Sequence, residues 1–434
     1  MTKNLRWKML AILLAIILMG YADRANLSIA MAPIMAEYGY TDKEKGQIFA
    51  SFYVGYAVAQ MISGYFAQRF GPKWIIFIAC FSWSCFEILT IYAAGNFYLF
   101  ILIRVLLGIG EGLAFPALHT FVSVWMLKKE ASNAIGLITG FTSLGTIMAL
   151  LISPLMISIS WQFLFVCFGV VGLLCCVPWA IVGSSSPRSS KWITEEEKEL
   201  ILKAKITEEE LVSQEGVEIE LLHGEPLKIS ELQSNVSIPW GRIFHCKAVW
   251  AIIIAQYTNS YGFYLFLNYL PSYMMEVHNF DLQGSGVVSM IPTLLQLLLL
   301  PVVAHLNQLN YSTKIKRITF QLIGTLCAAF CLLISRLAPK ALAISSLFVG
   351  LSIYSFTVYG GTYSHFDISP KYAGVVFSIG NTAGNLPGFT ASLITGFVLE
   401  YSKSWDIVFA ICGLHYVFGA VVWVLWFSDR VCIE

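Results

Sequence analysis

Charge is what this sequence has least of. Only 12% of its 434 residues are Asp, Glu, Lys or Arg, roughly half the ~25% of a soluble domain, so a chain of this composition cannot cover itself in water. The little charge present is balanced. The 27 Lys and Arg against 26 Asp and Glu leave a net +1, without the basic excess that a polyanion partner requires, which excludes nucleic acid. A disulfide framework is absent too: of ten Cys, eight lie inside apolar stretches, and Cys246 and Cys432 flank others, so they read as small hydrophobes. No His/Cys set stands at metal-ligand spacing, no Gly-rich phosphate loop carries a Lys, and no Ser/His/Asp grouping appears. These gaps argue against an enzyme. No catalytic residue, metal or cofactor is expected.

Apolar surface is plentiful. Hydrophobic residues make up 57% of the chain, with 30 Phe, 20 Tyr and 12 Trp, and the mean hydropathy is +0.71, so the natural solvent is lipid. A helix needs about 20 apolar residues to cross about 30 Å of hydrocarbon. Twelve stretches qualify: 9–31, 46–67, 74–94, 97–126, 132–156, 161–183, 247–271, 283–306, 316–335, 340–362, 372–400 and 404–428. The expectation is an all-α integral membrane protein of 12 transmembrane helices, with one six-helix half in 1–183, a central loop in 184–246 and a second half in 247–434. The loop holds twelve of the 26 acids. Its stretch Thr194 to Lys205 has the Ser/Thr-then-Glu chemistry of a capped surface helix.

Basic residues in the short loops set the orientation. With the amino terminus inside, twelve Lys and Arg fall on the cytoplasmic side and five on the other, which places both termini and the central loop in the cytoplasm. The Asn-x-Ser triplets at Asn26, Asn235 and Asn310 are then out of reach of glycosylation. No cleavable signal or Arg/Ser-rich leader is read before the first span, which weakens a plastid or mitochondrial location without excluding it; the expectation is the plasma membrane or an acidic endomembrane compartment. Glu196 to Ile201 spells an acidic-dileucine-like string, but it also suits the loop helix.

A charge at mid-span costs about 2.5–3.5 kcal/mol on insertion scales, so the five inside these spans carry the most information: Asp23, Arg24, Glu87, Arg104 and Glu111. Asp23 and Arg24 sit near mid-membrane on the first span. Arg104 and Glu111 are seven apart, so one face of the fourth span carries both signs. Structural ion pairs, Asp23 with Arg104 and Arg24 with Glu111, are the plain reading. Buried pairs are stability-neutral at best, however, and about 10–14 kcal/mol of combined insertion cost argues for a water-accessible cavity. Two arginines there suit an anion, and two carboxylates that can exchange protons suit a coupled cation. Glu87 has no basic neighbour at helical spacing. His119 follows Glu111 by eight and reads as a satisfied intramembrane His. Tyr21, Tyr53, Tyr56, Gln60, Tyr257, Asn259, Tyr264 and Asn381 add neutral hydrogen-bonding groups, and Gly136, Gly140, Gly145, Gly380, Gly384 and Gly388 permit close, sliding helix contacts.

Two six-span sets joined by a charged loop resemble the major facilitator superfamily, whose pseudo-symmetric halves rock about a midplane site. Several strings are similar to its anion:cation symporter family, which includes sialin, sodium-phosphate, vesicular glutamate and galactonate transporters. These are Tyr21-Ala22-Asp23-Arg24-Ala25-Asn26-Leu27-Ser28, the run from Arg104 through Gly108, Gly110, Glu111 and Gly112 to Pro116-Ala117, Trp161, Phe263-Tyr264-Leu265 with Pro271, and Asp367-Ile368-Ser369-Pro370 leading to Asn381. The resemblance implies that Asp23 and Glu111 couple protons, that Arg24 meets the substrate's anionic group, and that Arg104 alternately holds Asp23. Tyr21, Tyr56 and Asn381 match substrate-contacting positions. Phe49 and Asn259 stand where vesicular glutamate carriers have His and Arg, which argues against glutamate. The superfamily's loop motif runs from Gly64 to Lys73 with Gln68 in place of the usual aspartate, which puts its gating ion pair in doubt.

The reading that follows is a secondary active symporter for a small organic anion, a sugar acid or carboxylate. It is expected to be driven by H+, to lie in the bilayer and to work as a monomer. A sodium-coupled inorganic phosphate transporter is the alternative, with Na+ as coupling ion. A transporter-like sensor is a more distant one, and the His365-Phe366-Asp367 string reads as packing or a gate at a span end.

Overall fold

The computed structural model describes residues 4–204, 239–369 and 372–432, and it leaves aside the side chains of Gln68, Phe366 and Ala373. The acidic run Glu208 to Glu231, Asn235 and the Pro370-Lys371 step of the eleventh-span string therefore lie outside the described residues, as does the loop-motif departure at Gln68. Twelve segments run the length of the bundle. The first half has Leu5–Tyr38, Asp42–Phe70, Pro72–Ala93, Phe97–Trp125, Lys128–Ile157 and Trp161–Val182. The second half has Lys247–Glu276, Leu282–Asn307, Thr313–Leu337, Lys340–Ser364, Ala373–Ser402 and Trp405–Trp426. Their starts carry local signals. Asn96, Ser160, Asp281 and Ser312 accept from the backbone N–H three residues on, and Thr41 forms a reciprocal box with Glu44, satisfying donors that a helix start leaves unpaired.

Nine of the described helices are long and apolar enough to cross a membrane. The second, seventh and eleventh are as long, at 29, 30 and 30 residues, but more polar, because they pack at the seam between the halves. There the second meets the eleventh, and the seventh meets the first. A helix facing protein and cavity rather than lipid tolerates Gln60, Asn259 or Asn385. The tenth segment spans Lys340–Ser364, in keeping with the expected 340–362; its hydrogen-bond ladder is interrupted at Tyr354 and Ser355, whose backbone stays right-handed. Towards its end the missing Cβ of Gly360 lets its backbone lie on that of Gln321.

The halves repeat each other. The first helix packs on the fifth and sixth, the second and third on the fourth, and the third on the sixth. Six places on, the seventh packs on the eleventh and twelfth, the eighth and ninth on the tenth, and the ninth on the twelfth. Side chains follow the same rule. Trp161 and Trp179 on the sixth helix are 18 residues apart, as are Trp405 and Trp423 on the twelfth. The first of each pair donates its indole N–H to an acid ending the half's first helix, Glu37 at 2.6 Å and Glu276 at 3.0 Å. The second donates to a backbone carbonyl at the start of the half's third helix, Lys73 at 3.0 Å and Arg317 at 3.3 Å.

The ends of the bundle differ. At the end away from the central loop, one apolar cluster spans both halves, joining Met31, Ile34 and Phe49 to Tyr269, Leu399 and Trp405. Gly46 there lies against Ser392 and Gly396. Buried Lys45 donates to Ser272 at 2.7 Å, and Lys403 reaches Asp42 at 3.1 Å, a contact that raises the lysine's pKa. At the loop end one cluster belongs to the first half, reaching the second only through Tyr264 and Leu267 at mid-bundle, and another to the second half alone, and a Cβ on Gly136, Gly140 or Gly374 would meet nothing within 4 Å. Among the described residues the halves are packed together at the far end and stand apart at the loop end.

A helix occupies 195–204, with Thr194 Oγ1 accepting from the Glu197 N–H. It docks on the first half. Glu197 accepts from the Leu5 and Arg6 backbone N–H groups and from Arg6 Nη1 at 2.7 Å, while Arg6 also pairs with Glu130 at 3.0 Å. Ile201 is fully buried beneath it, so half of the dileucine-like string is inside the fold. Asp367 likewise serves packing, accepting from Arg317 Nε at 2.7 Å.

Candidate functional site

The five in-span charges converge in the first half. Asp23, Arg24, Glu87, Arg104 and Glu111 are each at most 7% exposed. They stand on the first, third and fourth helices, which close on one another where Gly110 of the fourth lies against Ser82 and Trp83 of the third and Gly20 of the first lies against the Trp83 ring. The second helix brings its aromatic rings to the same place by an equally close contact with the fourth. A Cβ on Gly55 would fall on the Val105 carbonyl, one on Gly108 on the Phe52 carbonyl, and one on Gly112 on the Tyr56 carbonyl. Only small residues allow backbones this near.

Arg24 is the centre of the group. Its Nε donates to Glu111 Oε2 at 2.5 Å. Its guanidinium lies over the rings of Tyr56, Tyr21 and Phe52 at 4.4, 4.6 and 5.3 Å, an aromatic collar that favours a desolvated cation. The terminal nitrogens of Arg24 bond to no described residue and, unlike Nε and Nη1 of Arg104, are not sealed from solvent. Arg104 lies over Phe52 at 5.1 Å.

One of the two anticipated pairs is therefore present and the other is not. Arg24 meets Glu111, while Asp23, fully buried, has neither oxygen hydrogen-bonded and no ion pair with Arg104 among the described residues. Glu87, which helical spacing left isolated, is at the core of the cluster: Asn26 Nδ2 donates to its Oε1 at 2.6 Å. Its signal lay on another helix, in an Asn one turn from Asp23 and Arg24. His119 does not join; it is exposed and makes no hydrogen bond to a described residue, with Phe115 its ring neighbour at 6.4 Å. It is not the satisfied His the sequence suggested.

The second half faces this cluster with neutral groups. Tyr264 OH donates to Asn385 Oδ1 at 2.9 Å, and Asn385 Nδ2 donates across the seam to Gln60 at 2.7 Å. Tyr53 packs edge-on against Tyr264, with ring centroids 4.8 Å apart. Asn381, the expected contact residue, is half-buried with no side-chain bond to a described residue; Asn385, one turn on, occupies the seam. Asn259 is turned away, paired reciprocally with Gln321, and Phe49 packs on Tyr269. Beside Tyr21 a cavity of about 100 Å³ opens between the halves, walled by Thr142, Thr146, Ser289, Thr293 and Gln296, with no charged side chain in its lining.

Comparison with known proteins places this architecture. The family model of the Major Facilitator Superfamily matches residues 13–392. The chain is 31% identical over 436 residues to a protein of Oryza sativa subsp. japonica named probable anion transporter 1, chloroplastic, covering 99% of this chain and 78% of that one. It is 30% identical over 437 residues to two Arabidopsis thaliana proteins, again over 99% of this chain. One is named ascorbate transporter, chloroplastic, of which it covers 76%, and the other sodium-dependent phosphate transport protein 1, chloroplastic, of which it covers 80%. Among solved structures, a bacterial homolog of the human lysosomal transporter Spinster, inward-facing and occupied, superposes with a TM-score of 0.73 at 14% identity. That match covers 98% of this chain and 97% of the other.

Proposed function

This chain belongs to the major facilitator superfamily, within its anion:cation symporter family, and is a multi-pass membrane transporter; we propose that it moves an organic anion, a sugar acid or carboxylate, together with protons by alternating access. The observation that carries this reading is Arg24, buried in three rings, tied by Nε to one carboxylate and with its terminal nitrogens open. A guanidinium in that state can receive a second carboxylate bidentately. Glu111 competes for the same cation. A proton arriving on Glu111 neutralises it, frees Arg24 for the substrate and removes the cost of burying an extra negative charge. Proton and anion thus bind as a unit.

The positive-inside count places the loop end in the cytoplasm, so the open end of the bundle is the inner one and the Lys45–Ser272 and Lys403–Asp42 contacts form the outer closure. The membrane is the plasma membrane or an acidic endomembrane. Tyr21, Tyr56 and the seam residues Gln60 and Asn385 contact the body of the substrate, and Asn381 borders its path.

The test is uptake into liposomes holding the purified protein, over a panel of sugar acids, carboxylates and phosphate, with an imposed proton gradient and then a sodium gradient. Proton-driven organic-anion uptake that becomes insensitive to the gradient in Glu111→Gln supports the reading. Uptake that needs only sodium and is competed by phosphate alone would replace it with the second reading, sodium-coupled phosphate transport, which the phosphate-named relative favours.

A further inference from the structure

Three buried charged groups on three helices each keep sealed polar atoms that have no hydrogen-bond partner among the described residues. Asp23 on the first helix has both carboxylate oxygens sealed and unbonded, Glu87 on the third has Oε2 sealed and unbonded, and Arg104 on the fourth has Nε and Nη1 in the same state. Arg104 lies within electrostatic reach of both carboxyls. We propose that Asp23 and Glu87 share a single proton across Arg104, making Glu87 a third proton-carrying carboxyl of the transport cycle.

Charge bookkeeping selects this state over its neighbours. With both carboxyls ionised, one arginine would face two buried anions. With both protonated, Arg104 would be a sealed cation with no counterion, an arrangement strongly disfavoured away from water. One proton between the two acids leaves the trio neutral whichever acid holds it. The surroundings supply no substitute partner. Among the described residues, Asp23 and the Asn26 amide face Glu87 from the first helix, and Arg104 and Glu111 from the fourth, the latter bound to Arg24. The sixth helix brings the thiols of Cys175 and Cys176 toward Asp23 and the Cys80 region, and the second brings the Tyr53 hydroxyl toward Arg104. None of these is a carboxylate free to neutralise Arg104.

The arrangement makes Arg104 a two-position switch. It turns to Asp23 when the proton sits on Glu87, and to Glu87 when the proton moves to Asp23; the proton leaves one oxygen for the other and net charge is unchanged. Because the Arg24–Glu111 pair is separately neutral, a monoanion on Arg24 brings one further proton, onto Glu111, and transport of a monoanion is electroneutral. This inference rests on the proton-coupled reading above, but its test needs no substrate.

The experiment is infrared spectroscopy of the full chain in liposomes at neutral pH, reading the carbonyl stretch of a protonated carboxyl. The expected result is such a band in the native protein, lost in Glu87→Gln and lost equally in Asp23→Asn, where Glu87 must ionise to hold Arg104. A band that survives Asp23→Asn shows Glu87 to be a permanently protonated packing acid and overturns the proposal. A band that survives Glu87→Gln, or is missing from the native protein, overturns it too. Either variant alone decides the matter if the other does not fold. In the liposome uptake assay, Glu87→Gln preserves shape and the Asn26 hydrogen bond, yet turnover falls at least tenfold and the pH profile flattens. An unchanged profile in this variant beside proton-driven uptake in the native protein rejects the shared proton while leaving the symport reading intact. No proton-driven uptake in the native protein rejects the symport reading itself.

Discussion

The two halves of this protein share a scaffold and divide the chemistry. Each uses two tryptophans at the same spacing, bonded to equivalent places, and each packs its helices in the same order. Yet the first half buries five charged side chains at mid-span, while in the second the charged groups stand near helix ends and the buried polar ones are amides and hydroxyls such as Asn259, Asn268, Ser289 and Gln321. A repeat that keeps its framework and loses its charges shows that packing does not require them. In a membrane, where each costs about 2.5–3.5 kcal/mol, charges kept on one side of a repeat are kept for what they do. In the proposed function the first half handles the proton and the anionic group, and the second presents neutral hydrogen-bonding groups to the rest of the substrate.

That division can be broken most sharply at Arg24. Arg24→Lys keeps the charge and loses the planar fork and the ring stacking; uptake is expected to fall about 100-fold, corresponding to about 2.7 kcal/mol. Retained uptake would mean that the first half supplies charge alone. A smaller effect is expected across the seam. Tyr264→Phe removes the hydroxyl that orients Asn385, a contact of about 0.5–1.5 kcal/mol, so KM should rise about three- to tenfold with turnover within twofold. A loss of turnover instead would place coupling in the second half. The smallest effect tests the scaffold. Trp179→Phe and Trp423→Phe each remove one indole hydrogen bond and should lower thermal stability in detergent by matching amounts, about 1 kcal/mol each, with uptake within twofold. Unequal falls would show that the equivalence is one of sequence position only.

The charged cluster was legible because an ionisable residue in an apolar run is rare, and the seven-residue spacing of Arg104 and Glu111 put both on one face. Which acid meets which base was not, since spacing reports on one helix at a time. Arg24 took Glu111 as anticipated, but Arg104 and Asp23 stand unbonded in this state. Glu87 was undervalued for the same reason: its donor, Asn26, is on another helix. Asn381 and Asn385 differ by one turn, too little for a sequence pattern to separate. The tenth span was legible as a whole, but not the interruption of its hydrogen-bond ladder at Tyr354 and Ser355, which no proline announces. The 18-residue tryptophan spacing was in plain view, but it has meaning only when the two halves are laid side by side.

The interlocked glycines of the second and fourth helices have a mechanical consequence. With Gly55, Gly108 and Gly112 each seated on a backbone carbonyl of the facing helix, the two rods are keyed together like a splined shaft and turn as one piece. The rings of Tyr56 and Phe52 and the two charged residues of the fourth helix, Arg104 and Glu111, therefore keep a constant mutual geometry while the carrier changes shape. What is left to vary is where protons sit, how the arginine heads are turned and which half-surface faces them, so the device runs by side-chain settings on a stiff frame.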